Sequence, residues 1–277
     1  MTSRSFARET GESWVIELKD KETGPFARPM TGDGAHGSTA GLLNSAVAVG
    51  LQTGGDLKPR QASLLRYVLD LVFSYHNALH APRNFRRAAK RFEELNRADI
   101  AAYFETHARE ETGHDRLALK DLRALGLPAE KIVANLVPSG MKPLVEYHDQ
   151  LASSDYPIGC IGYSYCFEFT AAKKGRPEVD AVVALCPPGV DASRFLRTHS
   201  GLGSEASHVD DIVHFVAGLP APDRIEIVKA TYETALKLGG GMRSDARLLD
   251  SEILTELESA AGHTINLGAN YEQLASA

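Results

Sequence analysis

The chain of 277 residues is poor in cysteine, with only Cys160, Cys166 and Cys186. Their number is odd and no CxxC spacing occurs, so the sequence predicts neither a disulfide framework nor a zinc–cysteine site. The first residues, MTSRSFARETGESW, lack the apolar segment of a secretory leader. We therefore expect a reduced, cytoplasmic protein.

Long apolar runs and an excess of basic residues are also missing. No run of 18 apolar residues occurs, so no transmembrane helix is predicted. The net charge of −6 argues against nucleic acid and anionic membranes as partners, because both favour a basic patch. No glycine-rich dinucleotide loop is present to hold a flavin or a nicotinamide. We expect a small-molecule substrate, with a homodimer as the assembly to test for.

Strand-like segments are scarce, whereas helical periodicity dominates from residue 60 onward. This pattern predicts an all-α fold, with residues 59–277 forming one helical domain. Residues 1–58 are rich in glycine, threonine, serine and charge, apart from the strand-like WVIEL at Trp14–Leu18. We interpret them as an irregular N-terminal extension laid over the domain, in which LLNSAVAVGL can form one helix, since their apolar content is too low for a core of their own.

The first helices of the domain are delimited by proline, asparagine and glycine. Apolar residues from Leu64 onward predict a buried helix that ends before Pro82, and residues 83–95 form a second, highly charged helix. Asn96 can then cap one long helix that ends at Gly126.

Three metal-ligating residue types recur on that long helix. His107, Glu111 and His114 lie at i, i+4 and i+7, and at about 100° per residue they share one stripe. Two imidazoles and a carboxylate on one stripe suit zinc, iron or manganese. The alternative is an ordinary solvated or ion-paired helix face, because charged residues surround the three.

A second candidate is Glu168, in the segment DYPIGCIGYSYCFEFTAAKK, which is apolar on nearly every side. This segment predicts a central helix. A carboxylate buried there must be neutralised, paired or bound to a metal, because an isolated buried charge is very unfavourable. A buried salt bridge is the alternative. Aromatic side chains of the same helix are candidates for lining a pocket: Tyr163, Tyr165, Phe167 and Phe169.

A third group follows in HSGLGSEASHV, where Glu205 and His208 repeat the i, i+3 spacing of Glu111 and His114. In an unbroken helix His199 would point away from His208, but Gly201 and Gly203 make a break plausible. His199 is therefore a conditional ligand. We expect His208→Ala to lose more metal than His199→Ala.

Three segments together resemble a known family: ETHAREETGHDRLALKDLRALGL, GYSYCFEFTA and FLRTHSGLGSEASHV. They are similar to the heme-oxygenase-like helical superfamily and, within it, to iron-containing redox enzymes called heme-oxygenase-like diiron oxidases. The similarity spans approximately residues 60–240. It implies a helical bundle that binds two Fe²⁺ ions among its core helices and uses O₂ as co-substrate.

The resemblance assigns roles to individual residues. Glu111 and His114 match the Glu-x-x-His pair of the family, and Glu168 matches its central glutamate; these two glutamates are the implied catalytic residues. Glu205 and His208 match the Asp-x-x-His half of its last ligand set. The family pattern does not require His107. Two residues too many separate His199 from Glu205, and the early helix offers only Asp70, His76 or His80 where the family has a carboxylate.

The leading functional hypothesis is an O₂-dependent non-heme diiron oxidase or oxygenase of specialised metabolism. Its substrate would be a small amine, an amino-acid-like molecule or a carboxylate. One alternative is a metal-free hydrolase resembling thiaminase II, in which Cys166 attacks a small heterocycle. Another is a heme- or small-ligand-binding protein without turnover, with His76 or His80 as the axial ligand.

Overall fold

We describe the protein from a computed structural model, which covers residues 4–9, 12–16, 34–54, 62–203 and 205–267. Only the backbone is described for residues 4–9, 12–16 and 205–207. Two antiparallel strands, β1 (Arg4–Glu9) and β2 (Glu12–Ile16), form a hairpin. Twelve helices follow: α1 (Gly34–Gly54), α2 (Leu64–Glu94), α3 (Ala98–Glu110), α4 (Asp115–Ala124), α5 (Ala129–Asn135), α6 (Lys142–Ala152), α7 (Gly159–Ala172), α8 (Arg176–Leu185), α9 (Arg194–Thr198), α10 (Glu205–Ala217), α11 (Ala221–Arg247) and α12 (Asp250–Ala261).

Helix α7 lies at the centre of the helical domain, as its composition predicts. It contacts α1, α2, α6, α10 and α11. Nearly every residue from Gly159 to Cys166 is buried, and Glu168 is buried with them. The predicted all-α domain is therefore confirmed in the described part of the chain. No helix in that part is long and apolar enough to cross a membrane.

Helix α2 corrects the predicted break at Pro82. The helix runs from Leu64 to Glu94 without interruption, with Pro82 buried inside it. Proline removes one backbone hydrogen bond from a helix, at a cost of about 3 kcal/mol. Apolar burial on both sides, including Phe85 and Phe92, offsets that cost.

Helix α1 contains the segment LLNSAVAVGL, for which the sequence allows a helix within residues 1–58. Its Leu43, Ala46 and Val47 belong to the same buried cluster as the core residues of α7 and α11. The contact with α11 is close because it involves glycines: a Cβ added at Gly50 would lie 2.6 Å from the Tyr232 carbonyl oxygen. Glycine thus lets the α1 backbone approach α11 directly, so this packing needs few large apolar side chains.

Two alanine substitutions on α1 test this packing. Gly50→Ala places its Cβ 2.6 Å from both the Tyr232 carbonyl oxygen and the Ala235 Cβ, so we expect the unfolding free energy to fall by about 1–3 kcal/mol. Gly41→Ala is the matched control, because a Cβ there meets nothing within 4 Å. It should raise the unfolding free energy by about 0.5–1 kcal/mol through helix propensity.

Urea unfolding followed by circular dichroism measures both values. Equal effects of the two substitutions would mean that α1 does not pack closely on α11.

Candidate metal centre

A turn between α3 and α4 replaces the single long helix predicted over residues 96–126. Helix α3 ends at Glu110, and residues 111–114 form a turn in which Gly113 has a φ of +98°. That left-handed conformation is available to glycine at little cost and interrupts the helical hydrogen bonding. The prediction of one continuous stripe for His107, Glu111 and His114 is therefore wrong.

The turn brings Glu111 and His114 to the end of α9. The His114 Nδ1 and the Glu111 Oε2 are 3.1 Å apart. His199, immediately after α9, packs its ring edge-on against the ring of His114, with 4.6 Å between centroids. One ligand atom from each of the three residues lies within 4.8 Å of the others. Glu111, His114 and His199 thus form a first cluster of a carboxylate and two imidazoles.

A second cluster forms around Glu168 of α7. One of its oxygens lies 3.9 Å from Nδ1 of His107 on α3, and the other lies 3.9 Å from Nδ1 of His208 on α10. Glu168 is 5% exposed and His107 is 7% exposed. Two imidazoles therefore flank a deeply buried carboxylate.

The charges of the two clusters complement each other. Burial lowers the pKa of His107 to about 4, although Glu111 nearby acts in the opposite direction. His107 is thus neutral near pH 7, as a metal ligand must be. Burial raises the pKa of Glu111, but its hydrogen bond to His114 and the nearby imidazoles of His199, His114 and His107 bring that pKa below the ordinary value. Glu111 is therefore ionised near pH 7.

The distances fit a bound metal ion. Two ligands bonded at about 2.1 Å to one ion lie about 3.0–4.2 Å apart, depending on the angle between the bonds. The separations of 3.9 Å around Glu168 are too long for hydrogen bonds but fall within that range. Carboxylates with neutral imidazoles suit iron, manganese or zinc. The Glu111 cluster thus gathers three ligand atoms within 4.8 Å of one another, whereas around Glu168 each imidazole faces a different oxygen of one carboxylate.

The helix break at Gly201 and Gly203, which we considered plausible, is present. Helix α9 ends at Thr198 and α10 begins at Glu205, so His199 and His208 belong to separate segments. A Cβ at Gly203 would lie 2.2 Å from the Thr198 carbonyl oxygen, so this tight connection requires glycine. The side chain of Glu205, which the sequence offers as a further ligand, lies outside the described residues.

The three early-helix candidates lie away from both clusters. Asp70 is exposed, and its charged neighbours are Arg66, Lys174 and Asp245. The ring of His76 is hydrogen-bonded through Nε2 to the Leu136 carbonyl oxygen, at 2.8 Å. The neighbours of His80 are Arg83, Asp149 and His148. Helix α2 thus contributes none of these three residues to the clusters.

The aromatic residues proposed as pocket lining are mostly core. The Tyr163 hydroxyl donates to the Asn77 side-chain oxygen at 2.8 Å, and the Tyr165 hydroxyl donates to that of Asn44 at 2.7 Å. Both tyrosines are almost fully buried. Phe167 and Phe169, which are only partly buried, pack against the main core.

Two residues beside Glu168 were missed by the sequence interpretation. The Ser164 hydroxyl donates to the Glu168 Oε1 at 2.7 Å and so orients the carboxylate. Tyr103 packs against the ring of His107 at 4.4 Å, and its buried hydroxyl has no hydrogen-bond partner among the described residues. Each lies one helical turn before a candidate ligand, since Ser164 precedes Glu168 and Tyr103 precedes His107 by four residues. That spacing was the available signal.

Comparison with known proteins identifies the fold. No protein-family model matches the chain, and no curated protein matches it. A crystal structure of a domain of unknown function with a heme oxygenase-like fold, from Shewanella denitrificans, matches with a TM-score of 0.54. The two sequences are 22% identical over 76% of this chain and 89% of that chain. The predicted heme-oxygenase-like helical fold is therefore confirmed, while the neighbour says nothing about activity.

The placement of His199 and His208 predicts a different outcome from the one that the sequence alone suggests. Because each belongs to a different cluster, His199→Ala and His208→Ala should each remove about half of the bound iron, rather than differ in rank. Each measurement compares iron per chain in anaerobically loaded variant and parent protein. Full iron content in either variant, with the helical content unchanged, would contradict the assignment of that histidine.

Proposed function

We propose that this protein is an O₂-dependent non-heme iron oxidase or oxygenase that acts on a small amine, an amino-acid-like molecule or a carboxylate. The observation that carries the proposal is that the fold assembles two groups of carboxylate and imidazole ligands. Glu111, His114 and His199 come from the α3–α4 turn and the end of α9, and Glu168 of α7 lies between His107 of α3 and His208 of α10. Iron bound there would supply the electrons that dioxygen activation requires.

The protein's own residues would hold, orient and insulate such a centre. Glu111 and Glu168 provide negative charge to neutralise bound cations, and His107 remains neutral because it is buried. The Ser164 hydroxyl fixes the Glu168 carboxylate, as supporting hydrogen bonds commonly do for metal ligands. Stacking of Tyr103 on Phe215, at 4.0 Å between ring centroids, excludes water beside His107.

The contacts of the other candidate residues favour this function over the two alternatives. Burial raises the pKa of Cys166 far above its ordinary value, so the thiol is protonated and a poor nucleophile. That weakens the cysteine-based hydrolase. The Nε2 of His76 is already engaged by the Leu136 carbonyl oxygen, which leaves that histidine poorly placed as an axial heme ligand.

Oxygen uptake tests the proposal. We expect iron-loaded, reduced protein to consume O₂ faster in the presence of its true substrate, found by screening amino-acid-like and fatty-acid-like compounds. Glu168→Ala should abolish this stimulation and lower the iron content, because it removes the carboxylate that two imidazoles flank. The measurement combines an oxygen electrode with metal analysis.

Glu146→Ala, which removes an exposed glutamate of α6, is the matched control and should behave like the parent protein. Turnover of a substrate by metal-free protein under argon, at the rate seen in air, would refute the oxygenase proposal and favour the hydrolase.

A further inference from the structure

A third cluster of metal-ligating side chains lies outside the candidate metal centre, where α1 meets α10. It consists of His36 near the start of α1 and of Asp210 and His214 on α10. The His36 Nε2 and the Asp210 Oδ1 are 2.8 Å apart. The rings of His36 and His214 meet edge-on, at an angle of 86° and with 4.4 Å between centroids. One ligand atom from each residue lies within 4.8 Å of the others.

We propose that His36, Asp210 and His214 form a surface site for a divalent transition-metal ion, with zinc as its expected occupant, which fastens α1 to α10. Two imidazoles and one carboxylate are a common three-residue zinc set, and water completes the tetrahedron. Asp210 and His214 are four residues apart on one helix, so both project from the same face. The third ligand comes from another helix, and an ion bound by all three would cross-link the two.

The site is accessible to ions from solvent, unlike the buried Glu168 cluster. The Asp210 side chain is 60% exposed, and that of His36 is 36% exposed. The ion would lie near the N-terminus of α1, whose partial positive charge disfavours a cation. The Asp210 carboxylate offsets that charge, so this ligand should matter most for affinity.

The competing explanation for the same geometry is a plain His36–Asp210 ion pair with His214 packed beside it. An exposed pair of this kind stabilises a protein only weakly and needs no metal. The two explanations differ in one measurable quantity, the number of zinc ions bound per chain.

Zinc titration of the full-length protein decides between them. The protein is stripped with a chelator and titrated with Zn²⁺ alone against a chromophoric competitor. We expect His36→Ala, Asp210→Asn and His214→Ala each to bind one equivalent fewer than the parent. His263→Ala, which removes an exposed histidine of the C-terminal segment, should bind as many equivalents as the parent.

A second pair of variants separates this site from the candidate metal centre. The double variant His199→Ala/His208→Ala should still bind the surface equivalent, and its melting temperature should still rise when Zn²⁺ is added. If all zinc binding disappears in that variant, or if Asp210→Asn binds as much zinc as the parent, the surface site does not exist. The metal-free His36→Ala variant can have a lower melting temperature than the metal-free parent. In that case the loss of zinc binding is judged from Asp210→Asn, because that substitution preserves the size of the side chain.

Discussion

A carboxyl group in the middle of the most buried helix is the constraint on which the site depends. Placing Glu168 among apolar side chains would be very unfavourable without compensating partners. Ser164 of the preceding turn donates a hydrogen bond to the Glu168 carboxylate, and His107 of α3 and His208 of α10 each lie 3.9 Å from one of its oxygens, a separation that a bound cation would bridge. The positions of α3 and α10 relative to α7 thus set the environment of one carboxylate.

Close helix packing makes such an arrangement rigid. A Cβ at Gly162 of α7 would lie 2.3 Å from the Ile227 carbonyl oxygen of α11, and Gly50 of α1 approaches the same helix as closely. Backbones that touch leave little room for sliding, because any shift meets main-chain atoms rather than flexible side chains. Helix α11 therefore acts as a fixed support against which α7, and with it Glu168, is held. Glu168 therefore sits on a rigid element, which precise positioning of a ligand requires.

The sequence predicted the features that depend on local spacing and missed those that depend on the backbone. The apolar composition of α7 predicted a central helix with Glu168 buried in it, and the structure has that arrangement. The Glu111–His114 contact of 3.1 Å joins residues only three apart, so it does not depend on a continuous helix. The stripe through His107 failed because Gly113 turns the chain. The route of α2 through Pro82 and the packing of α1 depend on contacts between distant segments, which periodicity does not report. Neither the motifs nor the fold determines which reaction the clusters serve, because one fold hosts many activities.

Helix α10 connects the two regions where metal-ligating residues gather. At about 100° per residue, Asp210 and His214 project away from the side on which His208 faces Glu168. One face of the helix therefore belongs to the buried centre, and the opposite face meets His36 of α1. The helix follows a connection in which the backbone N–H of Gly201 donates to the Lys174 carbonyl oxygen at 2.8 Å. An interaction that fastens its outer face to α1 restricts the orientation of its inner face as well, because a helix of 13 residues rotates as one body. Contacts at the surface of α10 can thus stabilise the position of His208 without touching the buried centre.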